Sequence, residues 1–383
     1  MKKVWVTLSV LFVAVVCAIA LQYVKPPPTT QAVNPLAQFF NIETEGFAPV
    51  EPGWQYIFPD DHGAHPVFQT DTWYFTGNLT TAQGHLFGFQ MTFFRLGLAP
   101  DKPSRDSAWA TNEIYRAHVA ITDVDQKQFH AFERYSRAAL GLAGAEQTPV
   151  RVWLENWEML MPDKSKANFQ LRIVTENMRL TLDLESLKNA VTNFDTGTSN
   201  PPFHAYWLPR LQASGALEVG ADTFTVDGSA TLSHVWGTGT VSLYRGQLAF
   251  NRFALQLDDN REILLFQLRR RDGSAEPINT GLLISQDGAV RRLRRHDLTF
   301  EVLDHWQSAE DGVRYPSRWR LQIPAEGIQL NIIPLLEDQE LNLSVRYWSG
   351  AARVTGKSKD QLVSGAGQVE LTAYAPDAFQ LKE

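Results

Sequence analysis

The chain has 383 residues, a formal net charge of −7, 44% hydrophobic and 20% charged residues. That composition excludes a disordered chain, and the negative charge excludes general nucleic-acid binding, which needs a positive field to meet phosphates. The length allows two domains of roughly 150 residues each, and 11 tryptophans with 22 phenylalanines point to wide β-surfaces or an aromatic-lined cavity.

Lys2 and Lys3 precede an apolar stretch from Val4 to Val24. With Ala18-Ile19-Ala20 as a cleavage site this reads as a signal peptide; uncleaved, residues 1–24 are long enough to anchor in the inner membrane. Either way the lysines stay in the cytoplasm and the rest faces the periplasm or is secreted. The single cysteine, Cys17, lies in this leader, so the mature part has no disulfide, thiolate nucleophile or cysteine metal ligand. Residues 25–50 read as a proline-rich tether, opened by Pro26-Pro27-Pro28.

The run FPDDHGAHPVFQTDTWYFTGNL, Phe58 to Leu79, follows. His62 and His65 sit beside Asp60 and Asp61, but zinc needs three or four convergent ligands, and Gly63 and Pro66 argue against a helix that would align them. No metal is expected. The run reads foremost as a polar knot that closes the end of a barrel, with binding or catalysis as the alternative. From Thr70 apolar and polar residues alternate, a strand period. Successive hairpins follow, with turns at 80–84, 123–125 and near Asn177, and in the second half at 258–260 and 286–288. Ser186 to Val191 is the best short helix candidate. HLFGFQMTFFR (His85 to Arg95) resembles EILLFQLRRR (Glu262 to Arg271), with Phe89-Gln90 set against Phe266-Gln267. The expectation is an all-β chain of two closed antiparallel barrels, residues 51–237 and 238–383, packed together behind an N-terminal signal or anchor helix.

No G-x-S-x-G elbow, P-loop, G-x-G-x-x-G turn, H-E-x-x-H or EF-hand occurs, so no cofactor is expected. The basic runs Arg269 to Arg271 and Arg291 to Arg295 read as solvated strand faces, or as a patch for anionic lipid. Trp73, Tyr74, Arg95, Tyr206, Arg210, His234 and Trp236 lie on strand-like runs and are candidates to line a ligand cavity, together with His62 and His65. An inward Arg95 would require a carboxylate partner.

The Phe58–Leu79 run resembles the opening signature of the AttH-like and carotenoid 1,2-hydratase-like family, F-P-x-D-H-G-x-H-P followed by an acidic residue and W-W-Y-x-T-G-N-L; here Asp71 stands near the acidic position and Thr72 replaces the first tryptophan. YRAHVAITD (Tyr115 to Asp123), ERYSR (Glu133 to Arg137), YWLPRLQASGAL (Tyr206 to Leu217), LQLDDNREILLFQLR (Leu255 to Arg269) and DQELNLSVRYWSGAARVTG (Asp338 to Gly356) extend the match over residues 50 to 375. The resemblance implies two lipocalin-like barrels, export and association with an ABC-type transport system. Some members are described as secreted hydrolases, one branch hydrates carotenoid double bonds, and related double-lipocalin proteins bind lipids or catalyse cyclisations. The family commonly carries an acidic pair in a W-x-D-x-E-W stretch, where this chain has Ser233 and Val235 before the retained Trp236. Alkene hydration needs a strong proton donor, so the expectation is an exported binder of a hydrophobic molecule, a lipid or isoprenoid, serving an ABC-type permease at the inner membrane. The alternative is a hydrolase or hydratase with its site between the barrels.

Overall fold

Period-two alternation of apolar and polar residues dictates the architecture. In β9 (Met178–Ser186) Met178, Leu180, Leu182 and Leu184 are buried and the residues between them exposed, and the strands Val150–Leu154, Trp157–Met161 and Asn168–Val174 alternate in the same way. The computed structural model describes residues 44–104, 106–163, 167–192, 203–239, 248–270 and 278–374, all within one compact unit, Ile42–Glu383. The leader and most of the tether expected from the sequence lie outside these residues. Among the described residues the fold is all-β with three short 3₁₀ turns, and no helix is long and apolar enough to cross a membrane.

The first sheet holds β1 (Thr70–Thr80), β2 (Leu86–Gly97), β3 (Glu113–Asp123), β4 (Gln128–Arg137), β5 (Ala143–Gln147), β6 (Val150–Leu154), β7 (Trp157–Met161), β8 (Asn168–Val174), β9, β10 (His204–Val219) and β11 (Asp222–Gly237). All pairings are antiparallel, in the order β4-β3-β2-β1-β11-β10-β9-β8-β7-β6-β5. This sheet curls into a nearly closed barrel: Arg134 of edge strand β4 donates to the Val174 carbonyl at 2.9 Å and lies over the Trp157 ring at 4.5 Å.

The second sheet holds β12 (Leu248–Leu257), β13 (Glu262–Arg270), β14 (Ile278–Ile284), β15 (Val290–Leu293), β16 (Thr299–Gln307), β17 (Arg314–Ile323), β18 (Ile328–Pro334), β19 (Glu340–Asn342), β20 (Arg346–Ser358) and β21 (Gln361–Leu371). Its order is β15-β14-β13-β12-β21-β20-β18-β17-β16, with β19 on β20. It is a half-barrel rather than the closed cylinder expected. β15 is only four residues long, and β16 is largely exposed with register shifts between Val302 and His305, so neither edge offers a ladder for closure. Ser186 to Val191 is not helical either: β9 ends at Ser186, and Val191 makes a bridge to Trp207.

In each sheet the first strand pairs with the last, and glycines fix the correspondence between the sheets. A β-carbon built on Gly228 of β11 would sit 2.1 Å from the Asn78 carbonyl oxygen of β1; one on Gly365 of β21 would sit 2.2 Å from that of Gln256 on β12. Gly215 on β10 and Gly356 on β20 face carbonyls the same way, each at 2.0 Å. Only glycine permits these approaches where strongly coiled strands cross. We expect Gly365→Ala to lower stability by about 2 kcal/mol, read as a shift in the urea midpoint. The register set by Leu79 opposite Gly228, and Leu257 opposite Gly365, equates Tyr74 with Arg252 and Ser233 with Glu370. It equates Phe89 with Ile263, not with Phe266. The sequence similarity of β2 and β13 is therefore three residues out of register, and an odd slip moves a side chain to the opposite face.

Candidate functional site

The sheets meet along a seam, and two polar clusters result from strand alternation on β1. Odd residues of β1 face the interior of the first sheet and even residues face the second sheet.

The interior cluster starts from Asp71, which is fully buried. Its Oδ2 accepts from Arg95 Nη1 at 2.9 Å and its Oδ1 faces His65 Nδ1 at 3.0 Å. The other His65 nitrogen faces Asp61 Oδ1 at 3.0 Å, and Arg95 also pairs with Glu113 at 2.8 Å. The 3₁₀ turn Asp60–His62 delivers Asp61, pinned by the Ile57 amide at 2.6 Å, and Trp73 Nε1 donates to the His62 carbonyl. His65 stacks on Trp236 at 3.9 Å and His234 on Trp73 at 4.7 Å. His62 Nδ1 meets the Tyr206 hydroxyl at 2.6 Å. Arg95 thus has the carboxylate partner its inward position requires.

His65, Asp71 and His234 bring ligand-type atoms within 4.8 Å of one another. Their bonding does not suit a cation. Both His65 nitrogens already face carboxylates, and Arg95 already neutralises Asp71. His234 Nε2 lies 3.4 Å from the Asp71 Oδ1 that His65 already holds, which leaves too few free donors for a tetrahedral site.

Burial sets the protonation states. Burial lowers His65, but hydrogen bonds to Asp61 and Asp71 outweigh it and hold its pKa above the ordinary value. Burial, followed by the charge of His234, lowers His62 to about 3; burial also lowers His204 to about 4. Burial raises Asp71, yet hydrogen bonds from His234 and His65 and the Arg95 charge hold it far below the carboxylate range. The unfolded chain therefore binds protons that folded His62 and His204 refuse. Their contribution is present above about pH 6.5 and is lost as pH falls toward 3 to 4. Asp71 loses its contribution further down. His65 acts oppositely: its contribution is full below 6.5 and is lost as pH rises through its raised pKa. Chemical denaturation should show stability falling between pH 6.5 and 4 by about 2 kcal/mol per pH unit, with a shallower slope in His62→Phe.

The seam cluster is built from the opposite faces. Tyr74 on β1 bonds Ser349 of β20 at 3.1 Å and Gln90 of β2 at 3.3 Å. The Arg252 guanidinium of β12 lies 4.9 Å from the Tyr74 ring and donates to Ser233 at 2.7 Å. Glu370 of β21 stands opposite Arg252 in register, half-buried, beside the Tyr74 hydroxyl. Burial raises the Glu370 carboxyl pKa, and the Arg252 charge only partly offsets it. Burial also raises Tyr74, and it lowers Arg252. Among the described residues Arg252 makes no ion pair. The seam is apolar around Trp207, Leu264, Leu282 and Ile284 at one place, and around Ala120, Leu341 and Tyr347 at another.

Of the residues singled out in the sequence, His62, His65, Trp73, Arg95, Tyr206, His234 and Trp236 converge in the interior cluster. Tyr74 points into the seam because it neighbours Trp73 in alternation. Arg210 belongs to neither cluster: it pairs with Glu262 at 2.5 Å, beside Lys188. It therefore reaches across to the second sheet without joining His62, His65 and Tyr206. A bulge between Leu208 and Leu211 turns Arg210 outward while Tyr206 stays inward. Arg252 and Glu370 were not singled out. Their signal was a charge set between inward apolar neighbours, in NRFALQL and GQVEL.

The AttH-like family model matches residues 49–374. A crystal structure of an AttH protein from Nitrosomonas europaea is 27% identical, covering 86% of this chain and 100% of that one with a TM-score of 0.73. Kievitone hydratase from Nectria haematococca shares the fold at 16% identity, 87% and 98% coverage and a TM-score of 0.62. CghA, solved with Sch210972, shares it at 12% identity, 86% and 97% coverage and a TM-score of 0.50. A comparison with curated proteins gives no match. With the family signature running through both sheets, the chain belongs to the AttH-like family.

Proposed function

We propose that this protein is an acid–base enzyme of the hydratase or hydrolase type, acting on a largely apolar molecule in the seam between two lipocalin-like sheets. The observation that carries this reading is Glu370, a carboxyl raised by burial beside Tyr74 and an unpaired, buried Arg252. A proton donor matched to its task needs such an environment. The interior cluster is a poorer candidate, because its carboxylates are committed to His65 and Arg95. The acidic position missing at Ser233 has its counterpart in the second sheet at Glu370, so the seam keeps a carboxyl despite the departure from the family pattern. Hydration by the kievitone enzyme gives the reaction class its precedent on this fold.

The test is turnover of apolar alkenes and esters in isotopically labelled water, followed by mass spectrometry. Incorporation of labelled oxygen supports the enzyme. Tight retention of unaltered molecules, with no label under any condition, returns the reading to a carrier of lipid or isoprenoid, which the apolar patches of the seam favour. Export to the periplasm, anchoring at the inner membrane and service to an ABC-type permease belong to this proposal. Fractionation of the envelope and crosslinking to the permease would test them, and a cytoplasmic location would discard them.

A further inference from the structure

The sign of the charge in the seam restricts the intermediate that it can stabilise. Adding water to an isolated alkene passes through a carbocation, which needs carboxylates or open aromatic faces nearby. Here the face of Tyr74 is taken by Arg252 at 4.9 Å, and that guanidinium would repel positive charge. A buried guanidinium without an ion pair suits a developing oxyanion instead. Two further buried oxygens lie beside these groups: Thr92 Oγ1, on the same face of β2 as Gln90 and opposite Tyr74, and Gln368 Oε1, two residues before Glu370 on β21. Thr92 is 6% exposed and Gln368 5%, and neither oxygen has a hydrogen-bond partner. Orphaned polar atoms buried this deeply are costly unless something binds them.

We infer that the substrate is an apolar molecule whose double bond is conjugated to a carbonyl, held with its carbonyl oxygen on Arg252, and that water adds through an enolate. This deepens the acid–base reading and rests on it. Water, accepted by Gln368 Oε1, bonds through oxygen to the β-carbon, and the π pair moves to the carbonyl oxygen beside Arg252. Glu370 gives its proton to the α-carbon and regains one from the attacking oxygen, so nothing but water is consumed. Thr92 donates to the carbonyl oxygen as it gains charge.

The experiment compares chalcone with the diphenylpropene of the same skeleton that lacks the carbonyl, in labelled water. Wild type is expected to label chalcone at least about tenfold faster than the diphenylpropene. Bound chalcone should show a red-shifted absorption band, retained in Glu370→Gln and lost in Arg252→Met. Arg252→Lys, with folding checked by circular dichroism, guards against collapse of the seam and should leave a reduced shift. Equal labelling of the two probes, or an unchanged shift in Arg252→Met, overturns the enolate assignment and leaves the acid–base reading intact. No label in either probe, with wild type and Glu370→Gln alike, counts against both.

Discussion

Glu370→Gln is expected to lower turnover by about 10²- to 10⁴-fold, the range over which a positioned general acid contributes. The amide keeps the size of the side chain and its reach toward Tyr74 but has no transferable proton at any working pH. Binding should change little, because apolar contact supplies most of it, so the loss falls on kcat rather than KM. The pH profile discriminates further. Burial raises the pKa of this carboxyl above its ordinary 4.5, so wild-type activity should fall as pH rises through that raised value, when the donor becomes a carboxylate. The residual activity of the glutamine variant should lack that alkaline limb. A variant that lost activity through misfolding would keep the limb in whatever fraction stayed active. Activity within about twofold of wild type would remove Glu370 from the chemistry.

The sheets were legible in the sequence because period-two burial is local: each strand announces its inward face by its own residues. Closure was not. Whether a sheet seals depends on its edges, and the short β15 and the bulged, exposed β16 carry that information only weakly. The polar knot of His62 and His65 ahead of the strand that carries Trp73 followed from the Phe58–Leu79 run, whereas the split between Trp73 and Tyr74 was implicit in alternation. Arg210 parts from Tyr206 because one extra residue at the bulge reverses the parity of everything after it. Arg252 and Glu370 escaped notice because they become neighbours of Tyr74 only through the packing of the second sheet on the first, from far along the chain. No local pattern reports such a contact.

Asp71→Ala is expected to cost about 3 to 5 kcal/mol of stability, the usual consequence of removing one partner from a buried ion pair. Asp71 is fully buried and serves both Arg95 and His65. Its loss leaves the Arg95 guanidinium with Glu113, which is partly exposed and a weaker partner, and removes one of the two carboxylates that hold His65 protonated. His65 should then deprotonate more readily, loosening its hold on Asp61 and on the 3₁₀ turn that carries it. Loss of stability should therefore be accompanied by increased proteolysis at residues 57–67, where Ile57 and Val67 are already exposed. Urea unfolding with limited proteolysis measures both. Asp71→Ala combined with Arg95→Met should recover part of the loss, because removing both charges leaves no buried ion unpaired. Additive losses in the double variant would mean that the two side chains act on the fold independently, and the seam would then owe its alignment to β1 packing rather than to this charge pair.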